Sequence, residues 1–478
     1  MTRQAVEEKP EEVAPGEMAD ILQASFHFAT TAETDELLFW SSGVYKRGGE
    51  ILVKSEVERR LPDCTKRYCE EVVGHLKRRT YHLVSEFDKD SNVINFPNGL
   101  YHRKTKRLLP HNPGYLSLIQ LGGECDPLAR PALLLKAISQ IMPDPADRLL
   151  LFEEMASAFM PSQKLKAVYL WEGGGHNGKG LLSETFEAVL GPENVSHLSL
   201  IDLTRRFAPA SLIGKLANIG EDIGDQEIKD NSTIKTISGG GRVFYERKGV
   251  QGRDSDEPPR VKFFFIANKQ PVVKDATDAW LVRTIWTKFP VQFLPRPIEA
   301  NKQVWPSPFA QFFNEGIFAE PSEADCFDDK GLKARIKGSS VELSGFLNVL
   351  LRVLDILEAR GDFARRPTIA ETKSIVIEHQ SPIESFVNSC LNLKPSAHSR
   401  KDHTYSAYVQ YCTRRNFTPE TVNKFGRELG KTLSSRGLTV DTDAKDAKGA
   451  RIWKGIELRE KPSKETDAST LDTAEGSP

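Results

Sequence analysis

The stretch YLWEGGGHNGKGLLSETFEAVLG, from Tyr169 to Gly191, contains the pattern Gly173-x-x-x-x-Gly178-Lys179 between an apolar run and a helical one. Glycines let backbone N–H groups face phosphate oxygens, and the amino end of a helix adds partial positive charge. We therefore predict a phosphate-binding loop in which Lys179 supplies a point charge to the terminal phosphates. The residues predicted to hold the nucleotide are Gly173, Gly174, Gly175, His176, Asn177, Gly178, Lys179 and Gly180. The plainer alternative is a glycine-rich turn between a strand and a helix.

The residue after this lysine departs from the usual pattern, because Gly180 stands where Ser or Thr ordinarily holds magnesium. Magnesium keeps several waters and takes few protein ligands, so water can replace the missing hydroxyl if carboxylates lie nearby. Ser183 and Thr185 come a turn or more into the predicted helix, and we expect both hydroxyls to point elsewhere.

An acidic pair, Glu221-Asp222, ends the apolar run of GKLANIGEDIG, residues 214–224. Nucleotide hydrolysis needs one carboxylate near magnesium and another that orients or deprotonates water. Neighbouring strand residues point to opposite faces, so the two carboxylates are expected to have separate roles. We predict that both are catalytic and that both belong to the magnesium site; an acidic turn is the alternative.

RVFYERKGVQGR contains both basic and aromatic residues, and it predicts a strand hairpin that turns at Lys248-Gly249. Arg247, Lys248 and Arg253 would lie beside Phe244 and Tyr245 on this hairpin. Cations next to aromatic rings suit the tracking of single-stranded nucleic acid. We predict contact with nucleic acid here, and a solvated hairpin is the alternative.

Two polar residues border the next buried runs. Asn268 ends VKFFFIAN, and in open α/β sheets the carboxyl ends of the strands are where ligands bind. Arg283 begins VRTIWTKF, where it forms either an ion pair at the edge of the core or an arginine finger that acts on a neighbouring subunit's nucleotide. Asn268 and Arg283 are both candidate catalytic residues.

The alternation of apolar and helical runs between residues 165 and 294 predicts an α/β fold with a parallel sheet. The runs AVYLW, KLANIG, VKFFFIAN and VRTIWTKF are short and rich in branched or aromatic residues, as buried strands are. Upstream, ELLFWSSGVYKRGGEILV predicts a hairpin, NVINFPNGLYHRKTKRLLPH a strand pair, and the intervening residues a helix interrupted at Pro62. The predicted domains are a disordered tail (1–20), an α+β domain (21–145), the α/β core (146–300), a helical lid or linker (301–375), a DNA-binding domain (376–460) and a second disordered tail (461–478).

The block from residue 376 to residue 460 has the pattern of three helices and a terminal hairpin, which fits a winged helix. Residues 381–462 carry 15 Lys and Arg against 9 Asp and Glu, a net charge of about +6. This charge favours contact with phosphates; docking of another protein is the alternative. The residues predicted to contact DNA are Lys424, Arg427, Lys431 and Arg436 on the third helix and Lys448, Arg451 and Lys454 around the wing.

Composition limits the function classes that remain. The 478 residues are 39% hydrophobic and 27% charged, with a formal net charge of −1, so nucleic-acid binding requires local concentrations of basic residues. No run of about 18 apolar residues occurs, so no membrane span is predicted. The six cysteines lack metal-ligand spacing, so free thiols are expected rather than a zinc site.

The order of these motifs resembles that of the superfamily 3 helicases, AAA+ ATPases of viruses and plasmids, and in detail that of the poxvirus, phage and plasmid primase-helicase family. GGGHNGKG resembles the Walker A loop, LANIGEDIG the Walker B motif and KTISGGGRVFYERKG the motif whose hairpin reaches into the central pore. FFFIANKQP resembles the motif that ends in the sensor asparagine, and WLVRTIW carries the arginine-finger position.

The resemblance implies a role for each candidate residue. Lys179 would bind the β- and γ-phosphates. Glu221 would hold magnesium through water and Asp222 would polarise the attacking water, and these two roles are interchangeable. Asn268 would sense the γ-phosphate, and Arg283 would reach the ATP of the next subunit. The lysine at the predicted hairpin tip would grip the DNA backbone.

The resemblance further implies an AAA+ P-loop ATPase core with a parallel sheet, preceded by an α+β domain and followed by a winged helix. Copies of the chain would form a hexameric ring that uses ATP and Mg²⁺ to unwind DNA from 3′ to 5′. Expected partners are single-stranded and forked DNA and a separate primase or polymerase, because no primase domain is recognised before the first hairpin. The expected setting is the host cytoplasm, in replication of a virus or mobile element. The alternative is an AAA+ replication initiator or defence ATPase that assembles on DNA without unwinding it.

Overall fold

The computed structural model describes residues 13–221, 231–247, 250–255, 257–268, 278–293, 331–372, 382–414, 419–438, 444–445 and 449–459. The chain divides into two units, residues 1–372 and residues 373–478. Within the described ranges, none of the helices has both the length and the apolar character needed to cross a lipid bilayer.

The first unit begins with a four-stranded sheet against which three helices pack. Its elements are α1 (Pro15–Ser25), β1 (Phe28–Thr31), β2 (Glu36–Ser41), β3 (Val44–Arg47), α2 (Gly49–Arg60), α3 (Lys66–Arg79) and β4 (Tyr81–His82). The strand order is β3-β2-β1-β4, and the β1–β4 pair is parallel while the other pairs are antiparallel. An α+β domain at this place is therefore present, as predicted.

The predicted hairpin in residues 36–53 is shorter than expected. β2 and β3 form it, and its last residues belong to α2 instead, because Gly48 takes a positive φ of 98° and the chain turns into a helix there. The predicted interruption at Pro62 is confirmed, since it separates α2 from α3. The Thr65 side chain accepts a hydrogen bond from Tyr68 N at 3.1 Å and caps the new helix.

The predicted disordered tail at residues 1–20 overlaps α1, and this part of the prediction is wrong. Met18 and Ala19 are buried, and with Leu22 they join the core that α1 forms with α3. The apolar face of α1 is short and is flanked by polar residues, so its periodicity does not predict a helix. Residues 1–12 and 460–478 lie outside the described residues.

A small antiparallel sheet and two helices lead to the predicted loop. The sheet has three strands where the sequence predicted two, and the elements are β5 (Val93–Phe96), β6 (Gly99–His102), β7 (Arg107–Leu109), α4 (Ala132–Ile141) and α5 (Pro145–Ala156). Asp144 caps α5 by accepting hydrogen bonds from the backbone N of Ala146 at 2.7 Å and of Asp147 at 3.2 Å.

A five-stranded parallel sheet forms the centre of the first unit. The elements of this part are β8 (Val168–Glu172), α6 (Lys179–Leu190), β9 (Val195–Ser196), β10 (Ala217–Gly220), α7 (Ser232–Ser238), β11 (Phe244–Arg247), β12 (Val250–Asp254), β13 (Lys262–Ala267), α8 (Asp278–Leu281) and β14 (Thr284–Lys288). The order is β14-β8-β13-β10-β9, and every neighbouring pair is parallel. The α/β class and its parallel sheet are confirmed, and β9 is a fifth strand that the sequence did not predict.

Aromatic packing holds this sheet against its helices. Tyr169, Phe186 and Phe264 are fully buried, and the Tyr169 and Phe264 ring centroids are 4.7 Å apart. Two later helices, α9 (Leu332–Lys337) and α10 (Ser340–Arg360), add to the same core, and α10 packs on α5. A close-packed core of this kind places the strand ends rigidly.

The second unit is a small helical domain with one strand pair. Its elements are α11 (Pro382–Cys390), β15 (Leu391–Arg400), α12 (Lys401–Arg414), α13 (Val422–Ser435) and β16 (Ile452–Leu458). The three predicted helices are present, but the predicted terminal hairpin is corrected, since β16 pairs antiparallel with β15, which lies between the first two helices. An isolated bridge joins Lys445 to Arg451 before β16. Buried Leu391 and Ile456 explain the pairing, because both strands pack on the helical core.

Candidate nucleotide-binding site

The glycine-rich loop connects β8 to the amino end of α6, as predicted. Gly178 has a φ of 84°, and an added Cβ would lie 2.4 Å from Ile141 Cδ1. An added Cβ at Gly173 would lie 2.1 Å from Asn177 Nδ2 and 2.9 Å from Phe289 O. Glycine is therefore required at both positions, by backbone conformation at the first and by close approach at both.

Lys179 points into the loop. Its Nζ donates to Gly173 O at 2.6 Å, Asn177 Oδ1 at 3.1 Å and Gly174 O at 3.2 Å. Burial lowers the pKa of Lys179 to about 8, and nearby Glu172 opposes that shift. The ammonium group is thus surrounded by oxygen acceptors, the type of ligand that a phosphate also offers.

The remaining loop residues divide into buried and open positions. Asn177 is buried, and within the described residues its Nδ2 atom has no hydrogen-bond acceptor. Gly175, His176 and Gly180 are exposed. An amide donor without a partner and an open rim suit an oxygen-rich ligand such as a triphosphate.

The carboxyl ends of three parallel strands meet beside this loop. In the register of the sheet Ala267 of β13 pairs with Glu172 of β8, and Gly220 of β10 pairs with Phe265 of β13. Asn268 and Glu221, which come directly after these strands, therefore lie at the same edge as the loop, and both are exposed. From β8 the chain crosses to β9 at one edge of the sheet, and from β13 it crosses past β8 to β14 at the opposite edge. The connections therefore run in opposite directions at β8, and open α/β sheets bind ligands at such a switch point.

Ser183 reaches Glu221, which corrects the expectation that its hydroxyl points elsewhere. Ser183 is 2% exposed, and its Oγ lies 3.5 Å from Glu221 Oε1 and 3.4 Å from Gly180 O. The expectation holds for Thr185, whose Oγ1 donates to Leu181 O at 2.7 Å. Sequence spacing alone did not predict this contact of Ser183, because it depends on how closely the end of β10 approaches α6 in the fold.

A magnesium site at this edge has one described carboxylate, because Asp222 lies outside the described residues. Among the described residues, no group of three or more His, Cys, Asp or Glu side chains is placed to hold a metal ion. Glu221 and the open space at Gly180, where an added Cβ meets no atom within 4 Å, suit an ion that keeps most of its waters and also binds nucleotide phosphates. The residues fit Mg²⁺ in that form.

Arg283 lies at the other end of the sheet. It precedes β14, whose first residue, Thr284, pairs with Val168 at the start of β8, and Arg283 O accepts a hydrogen bond from Val168 N at 2.7 Å. Its guanidinium group lies beside the end of α7, since an added Cβ at Gly239 would be 3.4 Å from Arg283 Nη2. The five residues of β8 separate Arg283 from the loop of its own chain by about 16 Å, beyond the reach of the side chain.

The predicted hairpin is formed by β11 and β12, with Phe244 opposite Asp254 and Tyr245 opposite Arg253. Arg253, one of the predicted DNA contacts, donates from Nε to the Tyr245 hydroxyl at 3.1 Å. One of its donors is therefore already used within the hairpin. Arg247 ends β11, and Lys248 lies outside the described residues.

One exposed aromatic residue lies on this hairpin and another lies in a segment that contacts it. Phe244 is 55% exposed and Phe207 is 47% exposed. Arg206 Nη2 donates to Glu246 Oε1 at 2.9 Å and ties the Phe207 segment to β11. Phe207 was not predicted from the sequence, because a single aromatic residue in a loop carries no periodic signal.

The predicted DNA-binding helix of the second unit, α13, carries its basic residues on the face opposite its buried apolar residues, but these cations have acidic partners. Lys424 pairs with Glu420 at 2.8 Å, and Glu428 pairs with Lys431 at 3.0 Å and with Arg427 at 3.4 Å. The number of basic residues in the sequence did not predict that acidic side chains neutralise them. Arg436 pairs with Glu384 at 3.6 Å, Arg451 and Lys454 are exposed, and Lys448 lies outside the described residues.

Comparison with known families gives three matches along the chain. Residues 50–144 match the family described as D5 N terminal like, residues 171–283 match a family of unknown function (DUF5906), and residues 378–451 match the family described as poxvirus D5 protein-like. The middle match begins in β8 and ends at Arg283, and so contains the loop and the strand edge described above.

Two curated viral proteins are similar to part of the chain. One, named "Putative helicase 121R", from Invertebrate iridescent virus 3, is 27% identical over 168 residues, which are 33% of this chain and 18% of that protein. The other, named "Putative helicase 022R", from Frog virus 3 (isolate Goorha), is 26% identical over 155 residues, which are 30% of this chain and 16% of that protein. The matched part thus spans less than a fifth of the length of either relative.

Among solved structures, the chain is similar to apo structures of the NrS-1 C-terminal region. One has a TM-score of 0.43 at 10% identity and covers 92% of this chain and 99% of that one. Another has a TM-score of 0.44 at 10% identity and covers 94% of this chain and 100% of that one.

Proposed function

We propose that this chain is an ATP-dependent DNA helicase. Its matches to two D5 families and to two viral proteins support the D5-like superfamily 3 helicase that its motifs predicted. The observation that supports this most is the meeting of the glycine-rich loop with Glu221 and Asn268 at one edge of a parallel sheet. Nucleotide hydrolysis needs a phosphate cradle, a carboxylate and a polar sensor at one place.

In this proposal the loop and Lys179 bind the phosphates of ATP. Lys179 exchanges its present carbonyl partners for β- and γ-phosphate oxygens, which are more strongly charged acceptors. Glu221 would hold magnesium, Asp222 would polarise the attacking water, with these two roles interchangeable, and Asn268 would contact the γ-phosphate. Magnesium supplies charge neutralisation on the phosphates.

A ring of subunits completes the site. Arg283 lies too far from the loop of its own chain, so it acts on nucleotide only if another subunit presents its loop to it. Head-to-tail contacts of this kind form a ring when the rotation between successive subunits closes. We therefore propose an AAA+ core that works as a hexamer with ATP between subunits.

The β11–β12 hairpin is proposed to track single-stranded DNA in the ring. Exposed Phe244 and Phe207 can stack on bases, and the basic residues Arg247 and Lys248 are proposed to contact phosphates. Each round of hydrolysis would move the hairpin and pull one strand through, which separates forked DNA.

The second unit is proposed to be a winged helix that recruits DNA. Its order of helix, strand, helix, helix and strand, with the Lys445–Arg451 bridge before the last strand, supports this proposal. Lys424, Arg427 and Lys431 on α13 would face the phosphates, with Lys448 and Arg451 in the wing. The 3′-to-5′ direction, replication of a virus or mobile element in the host cytoplasm and cooperation with a separate primase or polymerase belong to the same proposal.

The test measures ATP hydrolysis by the full chain with and without single-stranded DNA, and strand displacement on a forked duplex. We expect DNA-stimulated hydrolysis and ATP-dependent displacement, and Lys179→Ala should abolish both. Lys166→Ala, which removes an exposed lysine before β8, is the matched control and should retain both. Hydrolysis without displacement would favour the initiator or defence ATPase, and absence of nucleotide binding would overturn the proposal.

A further inference from the structure

The α6 helix carries two buried hydroxyl groups with different surroundings. Thr185 Oγ1 donates to Leu181 O at 2.7 Å, the ordinary bond of a helical threonine to the carbonyl one turn earlier. Ser183 Oγ has two acceptors at the outer limit of hydrogen bonding, Gly180 O at 3.4 Å and Glu221 Oε1 at 3.5 Å. Of these two hydroxyl groups, the Ser183 hydroxyl is therefore the one that contacts the residue following β10.

Gly180 leaves a gap beside this hydroxyl. Residues three apart are neighbours on a helix surface, so Ser183 lies one turn below Gly180 on the same side of α6. An added Cβ at Gly180 would meet no heavy atom within 4 Å. The place where a phosphate loop ordinarily carries its hydroxyl is open, and the nearest hydroxyl below it contacts Glu221.

We propose that Ser183 is a positioning residue for the magnesium site, where its hydroxyl replaces the one that is missing at position 180. It donates to Glu221 and holds this carboxylate toward the loop, and the space at Gly180 accommodates water that a Ser or Thr side chain would displace. The inference rests on the proposed nucleotide site, because it concerns the same edge of the sheet. Partners that orient a metal-binding group contribute about 10-fold to 100-fold to metal affinity.

The experiment measures the affinity of a fluorescent ATP analogue for the full chain over a series of Mg²⁺ concentrations. Ser183→Ala should raise the Mg²⁺ concentration that gives half of the full increase in affinity by about 10-fold, and should leave affinity without Mg²⁺ unchanged. Thr185→Val is the matched control, because it removes a buried hydroxyl two residues away, and it should show the unchanged Mg²⁺ dependence. Mn²⁺ binding in the presence of the nucleotide, followed by electron paramagnetic resonance, should show the same weakening in Ser183→Ala.

Two further variants separate positioning from simple damage to the fold. Gly180→Ser in the Ser183→Ala chain should restore the Mg²⁺ dependence to within about threefold of the unaltered protein. In the Glu221→Gln chain, Ser183→Ala should have no additional effect, because its partner has already lost the charge.

The outcomes distinguish this inference from the proposed function. If Ser183→Ala keeps the unaltered Mg²⁺ dependence, or weakens nucleotide binding equally with and without Mg²⁺, Ser183 is not a positioning residue. If Gly180→Ser does not restore the Mg²⁺ dependence of nucleotide affinity, the Ser183 hydroxyl does not replace the one missing at position 180. If the unaltered protein binds no nucleotide, the proposed function itself fails, and this result precedes any comparison of variants.

Discussion

Arg283 and Lys179 lie at opposite ends of the same parallel sheet. Arg283 precedes β14, which starts level with the first residue of β8, whereas Lys179 follows the loop that begins at the last residue of β8. Four of the five residues in each of β8 and β14 are buried. Two residues that the sequence places in one catalytic set therefore cannot serve one nucleotide from one chain, and the following prediction tests the consequence.

We expect Lys179→Ala and Arg283→Ala to abolish ATP hydrolysis separately and to restore it in part when mixed. Random mixing in a ring leaves about a quarter of the sites with an intact lysine from one subunit and an intact arginine from the next. The measurement is ATPase rate against mixing ratio, with a maximum near equal amounts. Each variant mixed with a chain that carries both substitutions is the control. A mixture with no activity while rings still form would contradict action between subunits.

Two glycines of the loop should respond oppositely to alanine. Gly178→Ala has to adopt a left-handed backbone and pushes against Ile141, so it should lower the free energy of unfolding by about 1–2 kcal/mol and weaken nucleotide binding. Gly180→Ala meets open space in a helix, where alanine is favoured by up to about 1 kcal/mol, so stability should be unchanged or higher. Urea unfolding and nucleotide titration compare the two, and equal losses would contradict the loop geometry.

Glu154 should make the protein less stable as pH rises. It is fully buried on α5, where it accepts a hydrogen bond from Trp171 Nε1 at 2.8 Å and another from Thr287 Oγ1. Burial raises the pKa of Glu154 to about 8, although these hydrogen bonds oppose the shift. Because the folded pKa lies above the ordinary value of 4.5, the folded state holds a proton that the unfolded chain loses. The stabilisation is complete below the ordinary value and is lost as pH rises through the folded pKa.

The free energy of unfolding should therefore fall by up to about 1.4 kcal/mol per pH unit in that interval, and Glu154→Gln should remove this part of the slope. Urea unfolding between about pH 5 and pH 8 measures it. Glu457→Gln, at an exposed carboxylate in the second unit, is the control and should leave the slope unchanged. An identical slope in the Glu154→Gln protein would show that this carboxyl is ionised when folded.

Removing one acid from α13 should strengthen DNA binding. Glu428 pairs with Lys431 and Arg427, so Glu428→Gln frees two cations for phosphates. We expect affinity for duplex DNA to rise about threefold to tenfold at low salt, with a steeper dependence on salt. Glu457→Gln, which releases Lys394 on the strand pair, changes the net charge equally and is the matched control. Equal gains in both variants would indicate a general charge effect rather than contact through α13.

Local patterns in the sequence were sufficient for the loop and for most elements. The glycines before Lys179 and the four apolar runs predicted the loop and four parallel strands, because backbone freedom and buried-strand composition act over a few residues. Three of the errors concern contacts between segments that are far apart in the sequence. They are the pairing of β16 with β15, the short strand β9 and the contact of Ser183 with Glu221. In each case the local sequence of one segment does not specify which distant segment it contacts.

The amino-acid pattern established the α/β class, the phosphate-type loop and the set of polar residues that follow buried strands, because each of these features depends on residues that are close together in the sequence. The packed fold established which of those residues share an edge: it brings Glu221, Asn268 and Ser183 to the loop and leaves Arg283 at the far end. The physical reason is that strand order, register and side-chain reach depend on how distant segments bury their apolar surfaces together, a property of the whole core rather than of any one stretch.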